Sequence, residues 1–278
     1  MMLPLRAFLK LTRFWNLLII ALAQYGTAGF LIASETLTDP ELMVMVLSTV
    51  LIAAGGYAIN DYYDVKIDLI NKPDRVVIGK SISRRYVLLF HTMLSFTGVA
   101  LGFFLDWKIG VINLLSAFLL WLYSNALKRL PFIGNFIVAL LTGLAVLVVN
   151  VLFLPLLAVV WVYALFAFFM TLIREIIKDI EDLKGDNTFG CRTLPIVWGT
   201  RGAKGVIYFL FLLLSLAVIG IHTRVTPLPV LYFVGFLFVP TGILFAWLIR
   251  ADTRRDFYRL SQLCKIIMVI GIFSMVFL

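Results

Sequence analysis

Charge is what this sequence has least of. Only 14% of its 278 residues are Asp, Glu, Lys or Arg, and 62% are hydrophobic. A water-soluble domain of this length cannot cover itself with so little polar surface, so soluble enzymes and binding modules are excluded. There are two cysteines, Cys191 and Cys264, far apart and without metal-type spacing. They provide neither a disulfide framework nor a thiolate metal site. Histidine is equally scarce. His91 lies in an apolar run and His222 near an outer loop, and both read as packing or interfacial residues. Gly-rich nucleotide loops, Ser-His-Asp order and zinc signatures are all missing. So is the D-G-x-x-A-R element expected of enzymes that transfer phosphoalcohols from nucleotide-activated lipids.

Long apolar runs stand in their place. They cover about 14–33, 42–60, 86–105, 109–124, 134–154, 156–175, 203–221, 228–249 and 263–278. Each is near the ~20 residues that cross a bilayer. The pattern predicts an all-α polytopic membrane bundle of nine transmembrane helices, forming a single domain over 1–278. The runs at 109–124 and 263–278 are short, which leaves eight spans open. The first run is long enough to be a span, and no signal-peptide cleavage site is evident before it.

The net charge of +9 does not signal nucleic acid. The basic residues sit between apolar runs, where they set topology and meet phosphates or anionic lipids. With a cytoplasmic N-terminus, all 24 Lys and Arg except Lys108 and Arg224 fall on the cytoplasmic side. Glu35, Asp39, Glu41 and Asp106 fall outside. The C-terminus is outside if there are nine spans.

In this orientation the second and sixth spans both end at the cytoplasmic face, each on a row of carboxylates. The first row is Asn60, Asp61, Asp64 and Asp68; the second is Asp179, Asp182 and Asp186. The aspartates of each row share one spacing, i, i+3 and i+7, which places them on one face of a helix. Gly185 permits a sharp helix exit. The repeated grammar predicts two pseudo-repeated four-helix halves plus a ninth helix. Helix C-termini already carry partial negative charge, so further anions there call for a neutralising cation. Mg2+, which prefers oxygen ligands, fits this role. Glu175 reads equally as part of the site or as an ion-pair partner of Arg174 or Lys178.

Cations accompany both rows. Arg75 and Arg192 follow the first Asp of their rows at nearly the same interval, which suggests equivalent contacts to an anion. With Lys72 and Lys128 they read as a diphosphate clamp. Tyr123 ends the fourth span and Asn135 starts the fifth. Arg13 and Asn16 stand where the first span enters the membrane, and Asn16 needs a polar partner inside the bundle.

At these residues the chain resembles the UbiA superfamily of membrane prenyltransferases. Its first motif, N-D-x-x-D-x-x-x-D, is matched by Asn60, Asp61, Asp64 and Asp68. The N-x-P-x-R that follows is matched by Asn71, Pro73 and Arg75. Its second motif, D-x-x-D-x-x-G-D, is matched by Asp179, Asp182, Gly185 and Asp186. Tyr123 and Lys128 match Tyr-x4-Lys, and Thr193-Leu194-Pro195 matches T-L-P. One departure is that Val76, Val77, Ile78 and Gly79 replace the family's Pro-Leu-Pro-Ser-Gly.

The resemblance implies nine helices, Mg2+ held with an allylic isoprenyl diphosphate such as geranylgeranyl diphosphate, and prenyl transfer to a lipophilic acceptor. It implies metal contacts from Asn60, Asp61, Asp64, Asp68, Asp179, Asp182 and Asp186. Substrate contacts fall to Arg13, Asn16, Lys72, Arg75, Tyr123, Lys128, Asn135 and Arg192. Asp68, Tyr123, Lys128 and Arg75 carry the chemistry. Arg174-Glu175 and the stretch from Tyr123 to Asn135 resemble the branch that alkylates a prenylated glycerol-phosphate hydroxyl in ether-lipid synthesis. An aromatic acceptor like 4-hydroxybenzoate, as in quinone synthesis, is the alternative. A divalent-cation transporter is the rival from another class. The charge split predicts that tags at the N-terminus and beside Lys128 are both cytoplasmic. Labelling of either tag from the outer face of sealed cells would reverse this orientation.

Overall fold

The structure is a computed structural model describing residues 5–155, 157–225 and 230–278, and their side chains outside 221–230. His222 and Arg224 therefore lie outside the described side chains. Among the described residues, nine helices are long and apolar enough to cross a membrane. They are α1 (Phe14–Ile32), α2 (Pro40–Asn71), α3 (Arg84–Leu105), α4 (Trp107–Asn125) and α5 (Ile133–Leu152). Then follow α6 (Ala158–Glu181), α7 (Leu194–Gly220), α8 (Leu231–Arg250) and α9 (Arg254–Phe277). The count of nine holds, and the two short runs are full helices.

Local chemistry explains several boundaries. Asp39 caps α2 by accepting from the Glu41 N–H at 2.8 Å, with Pro40 in the first turn. Asp106 caps α4 through the Lys108 N–H at 2.7 Å. Thr253 and Asp256 form a capping box that starts α9 well before its apolar run. Arg254, Arg255, Arg259 and Lys265 are thus helical residues, whereas hydropathy alone begins the span near 263. Helix α7 likewise reaches back to Leu194 across a break at Gly199, whose φ of 71° suits glycine.

Helices α2 and α6 are the central pair. More than half of each apolar window is buried, 56% and 61%, against 17% for α3. Helix α2 packs on α3 and α4; α6 packs on α5, α7 and α9. The largest apolar cluster surrounds α6, where Met170, Ile173, Ile176 and Ile177 meet Ile207, Leu244 and Cys264. Cys191 and Cys264 are both buried and unpaired.

Lipid supplies little hydrophobic drive between helices, so close approach and interhelical hydrogen bonds hold them. Ser48 Oγ donates to Gly98 O at 2.6 Å, and Asn113 Nδ2 donates to Ser48 Oγ at 2.6 Å. His91 Nδ1 donates to Gly55 O at 3.1 Å, which gives His91 the packing role expected of it. Gln24 Nε2 ties α1 to α2 and α5 through Thr49 Oγ1 at 3.0 Å and Ala145 O at 2.8 Å.

The α2–α3 contact generates a prediction. A Cβ on Gly98 would stand 2.8 Å from Ser48 O and 2.6 Å from Ile52 Cγ1. Gly98→Ala is expected to destabilise the detergent-solubilised protein by about 1–3 kcal/mol, the usual cost of overpacking. Gly205→Ala, with nothing near its Cβ, is expected to be neutral or stabilising. Equal melting temperatures for Gly98→Ala and wild type would show that α3 has room to move.

Candidate active site

The first carboxylate row does lie on one helix, because α2 continues through it to Asn71. The second row does not. Helix α6 stops at Glu181, and Asp182 leaves the helical region at φ −94°, ψ 4°. A short helix, Leu183–Thr188, then carries Asp186. Gly185 is not the helix exit expected from sequence. It is buried inside that short helix, and its N–H donates to Asn71 Oδ1 at 3.0 Å. Asn71 Nδ2 donates in turn to Asp182 O at 3.0 Å. A Cβ on Gly185 would collide with the Asn71 carboxamide, so glycine is required for close approach. One side chain thus joins the end of α2 to the second row.

The two rows converge. Asp64 lies within electrostatic reach of Asp61, Asp68 and Asp186. Cations from separate elements meet them. Arg13 Nη2 pairs with Asp61 Oδ1 at 2.8 Å, and its guanidinium lies 4.9 Å from the Tyr57 ring centre. Lys128 pairs with Asp64 and lies 5.9 Å from the Tyr63 ring centre. Lys72 Nζ pairs with Asp182 Oδ2 at 2.5 Å and reaches Glu181 Oε1 at 3.8 Å. Asn135 Nδ2 donates to Asp179 Oδ2 at 2.9 Å. Arg13 adopts a left-handed backbone, φ 53° and ψ 54°, an uncommon conformation for a non-glycine residue and one found at sites.

Tyr123 faces the same interior, within electrostatic reach of Glu175, Asp179, Asp64 and Arg13. Glu175 is buried and pairs with both Arg174 at 2.7 Å and Lys178 at 2.6 Å. Its ion-pair reading therefore holds with both partners. Among the described residues Asp68 has no ion pair of its own, although Arg13 and Lys72 act on it from nearby.

Other candidates stand apart. Arg75, on the turn Pro73–Arg75, and Arg192, before α7, are exposed. Among the described residues neither side chain bonds a carboxylate, so the structure does not draw them into the cluster. The half-buried Asn16 side chain makes no hydrogen bond among the described residues, so the polar partner expected for it is not a protein group shown here. The unusual loop after Arg75 buries Val77 and Ile78 against Leu11 and Ala58. Gly79 turns it with φ 82°.

Sequence reasoning missed the double bond from Asn71, the Lys72–Glu181 contact and Arg254, whose Nη2 donates to Asn71 O. Asn71 was visible as part of N-x-P-x-R. No spacing could have revealed Arg254, which is remote in sequence.

Among the described residues, no three Asp, Glu, His or Cys side chains stand close enough to share one ion. Two oxygens still argue for a cation. Asn60 Oδ1 and Asp182 Oδ1 are buried and accept no hydrogen bond. One belongs to each row, and buried oxygens of this kind require a donor or a cation. The donor set is all oxygen, which suits Mg2+.

A matching sequence profile shows what the chain is. The profile of the UbiA prenyltransferase family covers residues 19–264, and the chain belongs to that family of membrane enzymes. Among its relatives, the digeranylgeranylglyceryl phosphate synthase of Thermococcus gammatolerans is 32% identical over 98% of this chain and 96% of its own. The enzyme of that name from Saccharolobus solfataricus is 36% identical over 84% and 79%. A solved digeranylgeranylglyceryl phosphate synthase structure superposes with a TM-score of 0.72 at 26% identity, covering 98% of this chain and 97% of the other. A UbiA homolog of Archaeoglobus fulgidus, solved with GPP and Mg2+, shares the fold with a TM-score of 0.65 at 15% identity, over 98% and 100%.

Burial, then Asp182 and Asp64, push the Asp186 carboxyl up to about 7. An acid raised in this way holds its proton below that pH, so a cation binding beside it must displace the proton. Mg2+ binding is expected to weaken from about pH 8 to about pH 6 and to release protons at the lower value. Calorimetric titration in two buffers of different ionisation enthalpy measures the release. Buffer-independent heats near pH 6 would remove Asp186 from the cation site.

Proposed function

We propose that this prenyltransferase moves a prenyl group from an allylic isoprenyl diphosphate, such as geranylgeranyl diphosphate, to the hydroxyl of a prenylated glycerol phosphate, at the cytoplasmic face. The observation that carries the reading is the convergence of two carboxylate rows with Lys72, Lys128 and Arg13, cations from three separate segments. Relatives matching nearly the whole chain and named digeranylgeranylglyceryl phosphate synthase support the choice of acceptor. The transporter reading is disfavoured because both rows sit at helix ends rather than mid-span.

Asn60, Asp61, Asp64 and Asp68 on one side, with Asp179, Asp182 and Asp186 on the other, would hold the divalent cation. A divalent cation held there would supply positive charge that favours loss of the diphosphate. Lys72 and Lys128, now paired with Asp182 and Asp64, are placed to take up the negative charge growing on the leaving group. Arg75 and Arg192 extend this clamp at the exposed rim. The C1–O bond to diphosphate breaks with its electron pair on the leaving oxygen, and the acceptor hydroxyl forms the new C1–O bond. Asp68, the row-one aspartate without an ion pair, takes the hydroxyl proton. Tyr123 and Asn135 position the second row, and Arg13 with Asn16 line the acceptor side.

The direct test incubates purified protein with Mg2+, prenyl diphosphates of several lengths and a panel of acceptors, read by mass spectrometry. Transfer to 4-hydroxybenzoate and none to the glycerol phosphate ether would overturn the acceptor assignment. Asp64→Ala and Asp182→Ala should each nearly abolish turnover while expression stays normal. Lys128→Ala should lower kcat/KM for every donor roughly 10–150-fold, the equivalent of losing about 1.5–3 kcal/mol from one charged contact. Asn16→Ala should instead shift the ratio between two acceptors. An unchanged donor kcat/KM in Lys128→Ala removes Lys128 from the clamp.

A further inference from the structure

One group of charges remains unused by this reaction scheme. On α6, Arg174 and Glu175 stand about one turn before Asp179, and Lys178 directly precedes it. Glu175 pairs with both cations and is 6% exposed. Lys265, on α9, is half-buried and lies within electrostatic reach of Arg174, Lys178, Arg75 and Arg13. It makes no hydrogen bond or ion pair among the described residues. The Nε of Arg174 is also buried without a partner. Arg174 and Lys178 thus share one carboxylate, Lys265 lies within electrostatic reach of both, and two donors of this group, Arg174 Nε and Lys265 Nζ, have no partner among the described residues. Net positive charge is costly in such surroundings unless an anion completes it.

The group lies beside the candidate reaction site. Arg13 and Lys72, which pair with the aspartate rows, are both within electrostatic reach of Lys178. Tyr123 lies within the same reach of Glu175 and Asp179. The offset between Asp179 and Glu175 is about one helical turn, or ~5.4 Å. That is comparable to the distance from a glycerol hydroxyl to its phosphate.

We propose that Arg174, Lys178 and Lys265 form a binding site for a phosphate monoester carried by the lipophilic acceptor. This rests on the reading of the acceptor as a glycerol phosphate and assigns its headgroup a place. Charge selects the class. The three cations and Glu175 leave two positive charges, and a phosphate monoester carries about −1.5 to −2 near neutral pH. An aromatic carboxylate would neutralise only half of this, and a quinol none. The diphosphate of the donor is a second source of phosphate oxygen, but the aspartate rows and Lys128 already place it at the mouth.

Lys265 is the informative residue to change, because removing it orphans no protein group. The full-length protein in nanodiscs is titrated, without donor, with a long-chain glycerol diether phosphate and separately with the dephosphorylated alcohol. Wild type is expected to bind the monoester at least about tenfold more tightly than the alcohol. Lys265→Met should erase most of that preference and Lys265→Arg should retain it, while both bind geranylgeranyl diphosphate with Mg2+ as wild type does. A wild-type protein that binds monoester and alcohol equally overturns the proposal without any variant. So does a Lys265→Met protein that keeps the preference, or one whose defect falls on the prenyl diphosphate. If the monoester binds through Lys265 but accepts no prenyl group, the site stands and the glycerol-phosphate reaction falls.

Discussion

Carboxylates crowded at the C-terminal ends of two buried helices are the constraint on which this structure turns. The dipoles of α2 and α6 add negative charge where Asp61, Asp64, Asp68 and Asp179 already supply it. Crowding such charges is costly unless cations compensate part of them. Arg13, Lys72 and Lys128 answer them from three different connecting segments. The ion pairs thereby tie the start of α1, the loop after α2 and the loop after α4 to one place. Asn71 and Gly185 complete the same knot with uncharged bonds. The same contacts that gather the carboxylates also compensate part of their charge.

The apolar part of the bundle serves to hold that mouth in register. Hydrogen bonds inside the spans recur between helices brought together by small residues. Ser48, Gly98 and Asn113 join α2, α3 and α4. Tyr163 and Tyr232 both meet Ser274 Oγ, at 3.0 and 2.8 Å, joining α6, α8 and α9. These bonds carry no reaction chemistry. They fix how far α2 and α6 can slide, and one residue of slide would shift a carboxylate by about 1.5 Å along its helix. That displacement is enough to mismatch a cation held between two rows.

Much of this was legible in the sequence. Apolar run length gives the number of spans, and the repeated aspartate spacing gives the pair of helices that matter. The first row behaves as its periodicity says because α2 runs on to Asn71. The second row shows where periodicity misleads. Its spacing is the same, but the helix ends at Glu181 and the chain turns before Asp186. Asp186 arrives on a short helix that Asn71 holds through Asp182 O and the Gly185 N–H, and not by sharing the face of α6. Arg75 and Arg192 show a different limit of spacing. Their matched intervals suggest equivalent contacts, but an interval counted along a loop fixes no direction in space, and both side chains are exposed.

Glu175 connects these points. Read alone, a buried carboxylate near two aspartate rows looks like another cation ligand. Its two ion pairs give it a different role. By neutralising part of Arg174 and Lys178 it permits these two cations to stand together on α6, next to Asp179. The interior then has two parts, carboxylates at the helix ends and the Arg174–Glu175–Lys178 group beside them, with Tyr123 within electrostatic reach of Asp179 and Glu175. A symmetric carboxylate cage could bind a cation and little more. Arg174 and Lys178 beside it make the charge of the interior uneven, and an uneven field discriminates one charged group from another.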